Sequence, residues 1–306
     1  MKRVVLLFAF LLASACALSQ DLTVASYNLR NDNESDRRAG NGWDKRCGKV
    51  CEIIDYNGFD IVGTQEVKHG MLLDMCAALP GYGYVGVGRD DGATGGEYSP
   101  IFYRRDRFTL LDSGTFWLSP QPDRPGKGWD AAYPRICTWG RFRDVKCGRE
   151  LWFFNLHMDH IGVEARRESA KLVIETIDRM CGAGADVVLT GDFNVDQHNE
   201  IYGLLTGPGT VVDSYVTAAK RHAPNGTFNA FDPQAWSDSR IDHVLVSPTW
   251  HVCSYAVLTD VYWEEVKGAE GQVSENFPKE VSYRHFEVRL PSDHYPVVVE
   301  LCYGER

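Results

Sequence analysis

No two of the nine cysteines form a CxxC pair, which removes the closely spaced thiolate ligands that most structural zinc sites use. The 306 residues also contain no internal repeat, no low-complexity tract and no Pro/Ser-rich linker. Nothing marks a second folding unit, and 44% apolar content is enough for one large packed core. Beyond residue 20 no apolar run is long enough to span a bilayer. Basic residues are in short supply: 32 Lys and Arg face 42 Asp and Glu, net −10. Proteins that live by gripping a phosphate backbone draw affinity from Lys/Arg contacts that release counterions, so this balance does not favour a long nucleic acid as the main substrate. There is no HExxH either; His157 and His160 form an HxxH that lacks the spacing and internal base of a zinc protease.

What is present begins with MKRVVLLFAFLLASACALSQ, a basic start, an apolar stretch and then small residues, the layout of a secretory signal peptide. The expected division is therefore a leader over 1–19 and one catalytic domain over 20–306, exported to the periplasm or the exterior, with a lipid anchor on Cys16 as the minority alternative. A monomer is expected. An exported chain pairs some of its cysteines, but connectivity is not legible, and buried free thiols are an equal expectation.

Short runs rich in β-branched and aromatic residues recur at 22–28, 60–66, 99–104, 151–157, 186–192, 241–247 and 295–301, each reading as a mostly buried strand. Between them, Ala170, Val173, Ile174, Ile177 and Cys181 fall three or four apart and predict a helix over 164–181. A second helix is expected over 44–57, with Asp44 as N-cap and Gly58 as the stop, and a third over 67–79. Strands alternating with helices make an α/β protein of layered sheets. The stretch 113–139, rich in Pro, Gly and Trp, reads as loops over a strand edge, and such loops often carry specificity.

The apolar strands end or begin in polar side chains. Asn28 closes SYN, Glu66 closes GTQE, His157 closes FNLH, Asp192 and Asn194 close LTGDFN, and Asp293 and His294 precede YPVVVEL. Taken singly, Asn28 and the Asp293-His294 pair read as turn residues, and Glu66 as an acid at a helix start. Taken together they make a site, because strand ends converge at the edge of a rigid sheet. Asn28, Glu66 and Asp293 offer the hard oxygens that Mg²⁺ or Mn²⁺ takes. His157 and His294 offer proton transfer and charge stabilisation, and Asp242 offers a partner that holds an imidazole in one tautomer. That inventory suits metal-assisted attack of water on a phosphate ester.

The ordered blocks SYNLR, TQEVK, GEYSPIFYRRDRF, NLH, LTGDFN, RIDHVLVS and SDHYPVVVEL, over residues 22–301, resemble the endonuclease/exonuclease/phosphatase superfamily. The resemblance implies a four-layer α/β sandwich, two mixed sheets face to face flanked by helices as in DNase I. It implies Glu66 as principal metal ligand helped by Asn28 and Asp293, Asp192 as the group that orients or deprotonates water, and Asn194 as a phosphate contact. His157 and His294 share transition-state stabilisation and proton handling, Asp242 orients His294, and Glu97 pairs with His157. Arg30 stands where the repair nucleases carry an acid, which leaves fewer charges and favours one tight metal over two. Arg30, Lys68, Tyr103, Trp129 and Arg135 are candidate substrate contacts, with Trp117, Tyr133 and Trp139 as further pocket-lining candidates. The expected activity is hydrolysis of a small, sugar- or lipid-linked phosphate ester. A secreted DNase I-like endonuclease is the alternative, favoured by Lys68 and Arg30, and a non-catalytic binding protein that keeps only the fold is the second.

Overall fold

The computed structural model describes residues 22–266 and 284–303. The expected leader, its cleavage site and the Cys16 anchor lie outside the described residues. Two sheets dominate. One has seven strands in the order Lys220–His222, Trp250–Val257, Val297–Tyr303, Leu22–Asn28, Ile61–Gln65, Ile101–Arg104, Tyr82–Val85. The other has six, in the order Val212–Asp213, Asp242–Val246, Asp186–Asp192, Glu150–His157, Ile136–Asp144, Phe108–Trp117. Both mix parallel and antiparallel pairs.

Alternation along the strands explains the layering. Val24, Ile61, Phe153, Val188, Val244 and Val299 point inward and form the core between the sheets. Their neighbours point outward, as strand geometry requires. Ala25, Tyr27, Val62 and Phe102 pack under Val50, Ile54, Met71 and Met75 of the helices Trp43–Tyr56 and His69–Ala78. On the opposite side Phe154, Leu156, Leu189 and Leu245 meet Val173, Ile177 and Leu205 of the helices Val163–Cys181 and Glu200–Thr206. The strands read as unbroken apolar runs because both of their faces are covered. The expected four-layer sandwich is observed, and its packing is divided into three apolar layers, two of them under helices.

The sheets approach closely near the site. A Cβ on Gly63 would overlap the Thr190 hydroxyl and the Asn155 side chain of the facing sheet. Asn155 bridges the sheets from this gap: its amide donates to the Thr64 carbonyl at 2.8 Å, and its oxygen accepts from Gln65 Nε2 at 2.7 Å and Thr190 Oγ1 at 3.0 Å. A buried polar network of this kind fixes how one sheet sits on the other.

Some expectations are corrected. The stretch 113–139 is not all loop, since Phe108–Trp117 and Ile136–Asp144 pair over most of their length and only the segment between them is irregular. The Asp-Ser-Gly interruption at 112–114 hides the first of these strands, and a register shift falls between Leu110 and Asp112. The cap of helix Trp43–Tyr56 is Gly42, with Asp44 in the first turn, while Gly58 does stop the helix with φ 61°. The third helix begins at His69, after the cap Lys68. Cys253 and Cys302 form a disulfide between neighbouring antiparallel strands, and Cys47, Cys51, Cys76, Cys137, Cys147 and Cys181 are free thiols. Among the described residues no helix is long and apolar enough to cross a membrane.

Candidate active site

Strand register assembles the floor of the site. Asp192 lies opposite His157 on the parallel neighbour and opposite Asp242 on the antiparallel one, so three strand ends place a carboxylate between an imidazole and a second carboxylate. Asn28 ends the central strand of the facing sheet beside Gln65, which delivers Glu66 one residue on. Asn28 Nδ2 donates to Asp192 Oδ2 at 3.0 Å and to Glu66 Oε1 at 3.1 Å, linking the two sheets through their acids. Its Oδ1 accepts from the Arg30 N–H at 3.0 Å, which fixes the orientation of the amide.

The floor opens into a cleft of about 520 Å³, lined by Arg30, Asn31, Glu66, Arg89, Glu97, Tyr133, His157, His160, Asp192, Asn194, Phe228, Ile241, Asp293 and His294. Of the non-glycine residues with positive φ, Arg30 (53°), Glu66 (63°) and Asn194 (51°) all line it. Non-glycine residues persist in this conformation only where the surroundings enforce it, and such strain gathers at functional sites. At Asn194 the local enforcement is visible: its N–H donates to Asp192 Oδ1 at 2.9 Å and its side-chain amide to the Met158 carbonyl at 3.0 Å.

The two histidines flank Asp192 from different environments. His157 Nε2 lies 3.5 Å and His294 Nε2 3.8 Å from Asp192 Oδ2. His294 Nδ1 is bonded to Asp242 Oδ2 at 2.8 Å. Burial alone would favour a neutral ring, but the Asp242 carboxylate outweighs it and holds His294 up to about 10. His157 is driven the other way, well below its ordinary value, by burial and then by the charges of Arg135 and Arg89. Asp192 is pushed up to about 7 by burial and by the neighbouring Asp242.

Glu66 is held down despite its burial by the Asn31 N–H at 3.0 Å, by His294 and by Asn28. The Asp293 carboxyl is raised, first by burial and further by Glu66 across the site. Its contacts with Arg30 Nη1 and Ser292 Oγ are long, each 3.5 Å. Two buried carboxylates that repel one another, Asp293 with only long contacts, fit a divalent cation, with Glu66, Asp293 and the second lone pair of Asn28 Oδ1 as its holders. Asp192, Asp242 and His294 also bring ligand atoms within 4.8 Å of one another. There, however, the Nδ1 of His294 is already committed to Asp242, so that trio is better suited to holding a proton.

Several sequence candidates fall elsewhere. Glu97 lines the cleft but does not pair with His157; it takes Arg89 Nη1 at 2.6 Å and Asn31 Nδ2 at 3.3 Å, and His157 Nδ1 is buried without a partner. Lys68 is exposed, donates to the Asp32 carbonyl and does not line the cleft. Tyr103 pairs with Ile61, at the far end of the strand from Glu66, and packs on Phe142 with ring centroids 5.0 Å apart. Trp129 is also off the cleft: the next residue, Asp130, accepts from the Ala165 N–H at 2.7 Å and ties that segment to the start of the helix Val163–Cys181. Arg135 sits behind His157 rather than in the cleft, bracing Asp159 at 3.2 Å and His160 at 3.0 Å. Trp117 is buried and donates to the Arg89 carbonyl at 2.7 Å, and Trp139 packs on Trp152; only Tyr133 of that aromatic set reaches the cleft. Arg30 does reach it, braced by Asp36 at 2.7 Å.

Sequence reasoning missed Asn31, Arg89, Phe228 and Ile241, and His160, which reads in the sequence only as part of an HxxH. Asn31 was detectable as the neighbour of Arg30 in SYNLRND. Arg89 and Phe228 sit on loops whose composition says only that they turn.

A two-sheet α/β sandwich with acids, amides and imidazoles gathered at one edge of the sheets defines a hydrolase of the DNase I-like class. The chain belongs to the endonuclease/exonuclease/phosphatase family, whose model matches residues 25–294. It is similar to a crystal structure of a family protein from Bacteroides thetaiotaomicron at 50% identity and TM-score 0.86, covering 94% of this chain and 100% of that one. It is also similar to a mannosyl-6-phosphatase of Bacteroides thetaiotaomicron at 51% identity and TM-score 0.83, covering 92% of this chain and 100% of that one. An uncharacterised protein of Acanthamoeba polyphaga mimivirus is 31% identical over 161 residues, which is 50% of this chain and 60% of that protein.

Proposed function

We propose that the protein is a divalent-metal-dependent phosphatase that releases phosphate from a small sugar-linked monoester, and that it works outside the cytoplasm. The observation that carries the reading is the placement of Asp192 Oδ2, 3.0 Å from Asn28 Nδ2, 3.5 Å from His157 Nε2 and 3.8 Å from His294 Nε2, on the floor of a cleft rather than on an open face. The 51% identity to a mannosyl-6-phosphatase supports a sugar phosphate, and the N-terminal leader pattern supports export.

Asp192 orients a water against phosphorus and accepts its proton, a task suited to a carboxyl pushed up to about 7. Asn28 and the Asn194 N–H hold the carboxylate so that one oxygen faces the cleft. Arg30 and His157 donate to phosphate oxygens, where charge grows as water adds. His294, locked by Asp242 through Nδ1, presents Nε2–H to the cleft and passes a proton to the ester oxygen as the P–O bond breaks. Glu66, Asp293 and Asn28 would hold a divalent cation, whose chemistry here would be to neutralise the phosphate charge.

The endonuclease alternative draws on Lys68 and Arg30, and Lys68 lies outside the cleft. A panel of mannose 6-phosphate, other hexose phosphates, glycerol 3-phosphate, bis-(p-nitrophenyl) phosphate and supercoiled plasmid, each with Mg²⁺ or Mn²⁺, tests the reading. Phosphate release fastest from hexose phosphates is expected. Plasmid nicking that outpaces every monoester would replace the phosphatase with the nuclease.

A further inference from the structure

We propose that Tyr133 and Phe228 form an aromatic subsite that grips the ring of the leaving group, a pyranose, and so set specificity; the inference rests on the phosphatase reading above. They are the two large exposed apolar side chains that line the cleft among the described residues, Tyr133 51% and Phe228 44% exposed. Neither belongs to the acid, amide and imidazole floor. An aromatic ring left open to water inside a polar cleft, on a molecule with three well-filled apolar layers, is placed there to be covered.

Both are held before any ligand arrives. Tyr133 is stacked on His160 with centroids 6.1 Å apart and planes at 14°, has the Arg89 guanidinium 5.2 Å from its ring, and is tied through its N–H to Asp159 at 3.4 Å. Arg135 in turn fixes both Asp159 and His160. Phe228 forms an isolated antiparallel bridge with His294 and sets its ring against the imidazole, centroids 5.0 Å apart at 66°. The neighbouring Thr227 is buried and accepts from the Ile241 and Asp242 N–H groups at 3.0 and 3.1 Å. Each platform is thus tied to the floor, Tyr133 through the residues after His157 and Phe228 through His294, so the ring is placed relative to the phosphate without reorganisation.

The polar groups of the cleft complete the match. Asn31, Arg89 and Glu97 form a hydrogen-bonded row that ends on Glu66. A pyranose has hydroxyls around its rim and apolar C–H faces, so it satisfies such a row with its rim while its faces cover aromatic carbon. A nucleobase would use the aromatic rings but has fewer groups for the row of donors and acceptors, which is why the sugar is favoured.

The test is titration calorimetry on the Asp192→Asn protein, with mannose 6-phosphate, glycerol 3-phosphate and adenosine 5′-monophosphate as probes. Mannose 6-phosphate is expected to bind on the order of tenfold more tightly than glycerol 3-phosphate. Adding Phe228→Ala or Tyr133→Ala should bring that ratio towards one, and Tyr133→Phe, which keeps the ring, should preserve it. Circular dichroism melting checks that each variant is folded. A ratio unchanged in both alanine variants, equal binding of the sugar and glycerol esters, or tightest binding of the nucleotide would each overturn the subsite. Wild-type protein that hydrolyses no monoester, while the binding ratio still responds to Phe228 and Tyr133, would remove the phosphatase reading and leave the sugar subsite standing.

Discussion

The floor of the cleft and its walls are built by different means. The floor consists of strand ends: His157, Asp192 and Asp242 sit side by side across three strands, and Asn28 and Glu66 come from adjacent strands of the facing sheet. The walls come mostly from connecting segments, with Arg89 beside Glu97 of the two-residue strand Glu97–Tyr98 on one side, Tyr133 and His160 on another and Phe228 on a third. Strand register sets the floor positions, since a slip of one residue would send every side chain to the other face. Hydrogen bonds and ring contacts set the walls one residue at a time. The floor is therefore suited to chemistry that tolerates little displacement, and the walls to recognition that can differ between relatives of one fold.

Variants of floor and walls should separate by size and kind of effect. Chelation by EDTA should bring turnover to background, with Mg²⁺ or Mn²⁺ restoring it; full activity in EDTA would mean that the buried acids serve structure alone. Glu66→Gln should cost about 10²-fold or more in turnover and weaken Mn²⁺ binding measured by calorimetry. Asp242→Asn leaves His294 without its anionic partner and should cost ~10–100-fold in kcat, with less effect on KM. If KM alone moved, Asp242 would be shaping the cleft rather than the imidazole. Asn155→Leu tests the platform beneath the floor: it strips partners from Gln65 and from the Thr64 carbonyl, and should destabilise the fold by about 3 kcal/mol in urea unfolding. Lys68→Ala sits at the bottom of the scale, and less than about a twofold change in phosphate release is expected because surface substitutions away from a site have small effects. A large loss there would return Lys68 to the substrate and enlarge the wall.

The same division explains how much of the molecule is legible in its sequence. Asn28, Glu66, His157, Asp192, Asn194, Asp293 and His294 stand at the ends of apolar runs, and their combination, not their periodicity, marks one sheet edge as the site; all of them meet at one place except Asn28, which lies beneath the acids and joins them. Alternating strands and helices make the α/β layering legible, whereas the count of four layers comes from the resemblance of the motifs to the family. Wall residues are not legible. Tyr103 and Trp129 lie in motifs or loops near the right part of the chain, yet one packs between the sheets and the other follows a segment drawn towards a helix start by Asp130. Glu97 does belong to the cleft, but its expected partner is wrong, because only three-dimensional packing shows that Arg89 reaches it first. Loop residues carry no period, so their neighbours are settled by tertiary contacts alone.

The central claim is that Asp192 is the group that activates water, not a turn residue that happens to be buried. Its most direct test is inorganic phosphate release from mannose 6-phosphate by wild-type and Asp192→Asn protein, paired with their thermal melting. A fall of about 10³-fold in kcat with a melting midpoint close to wild type is the predicted result. Asp192→Asn protein that turns over at the wild-type rate, or that fails to fold, would contradict it.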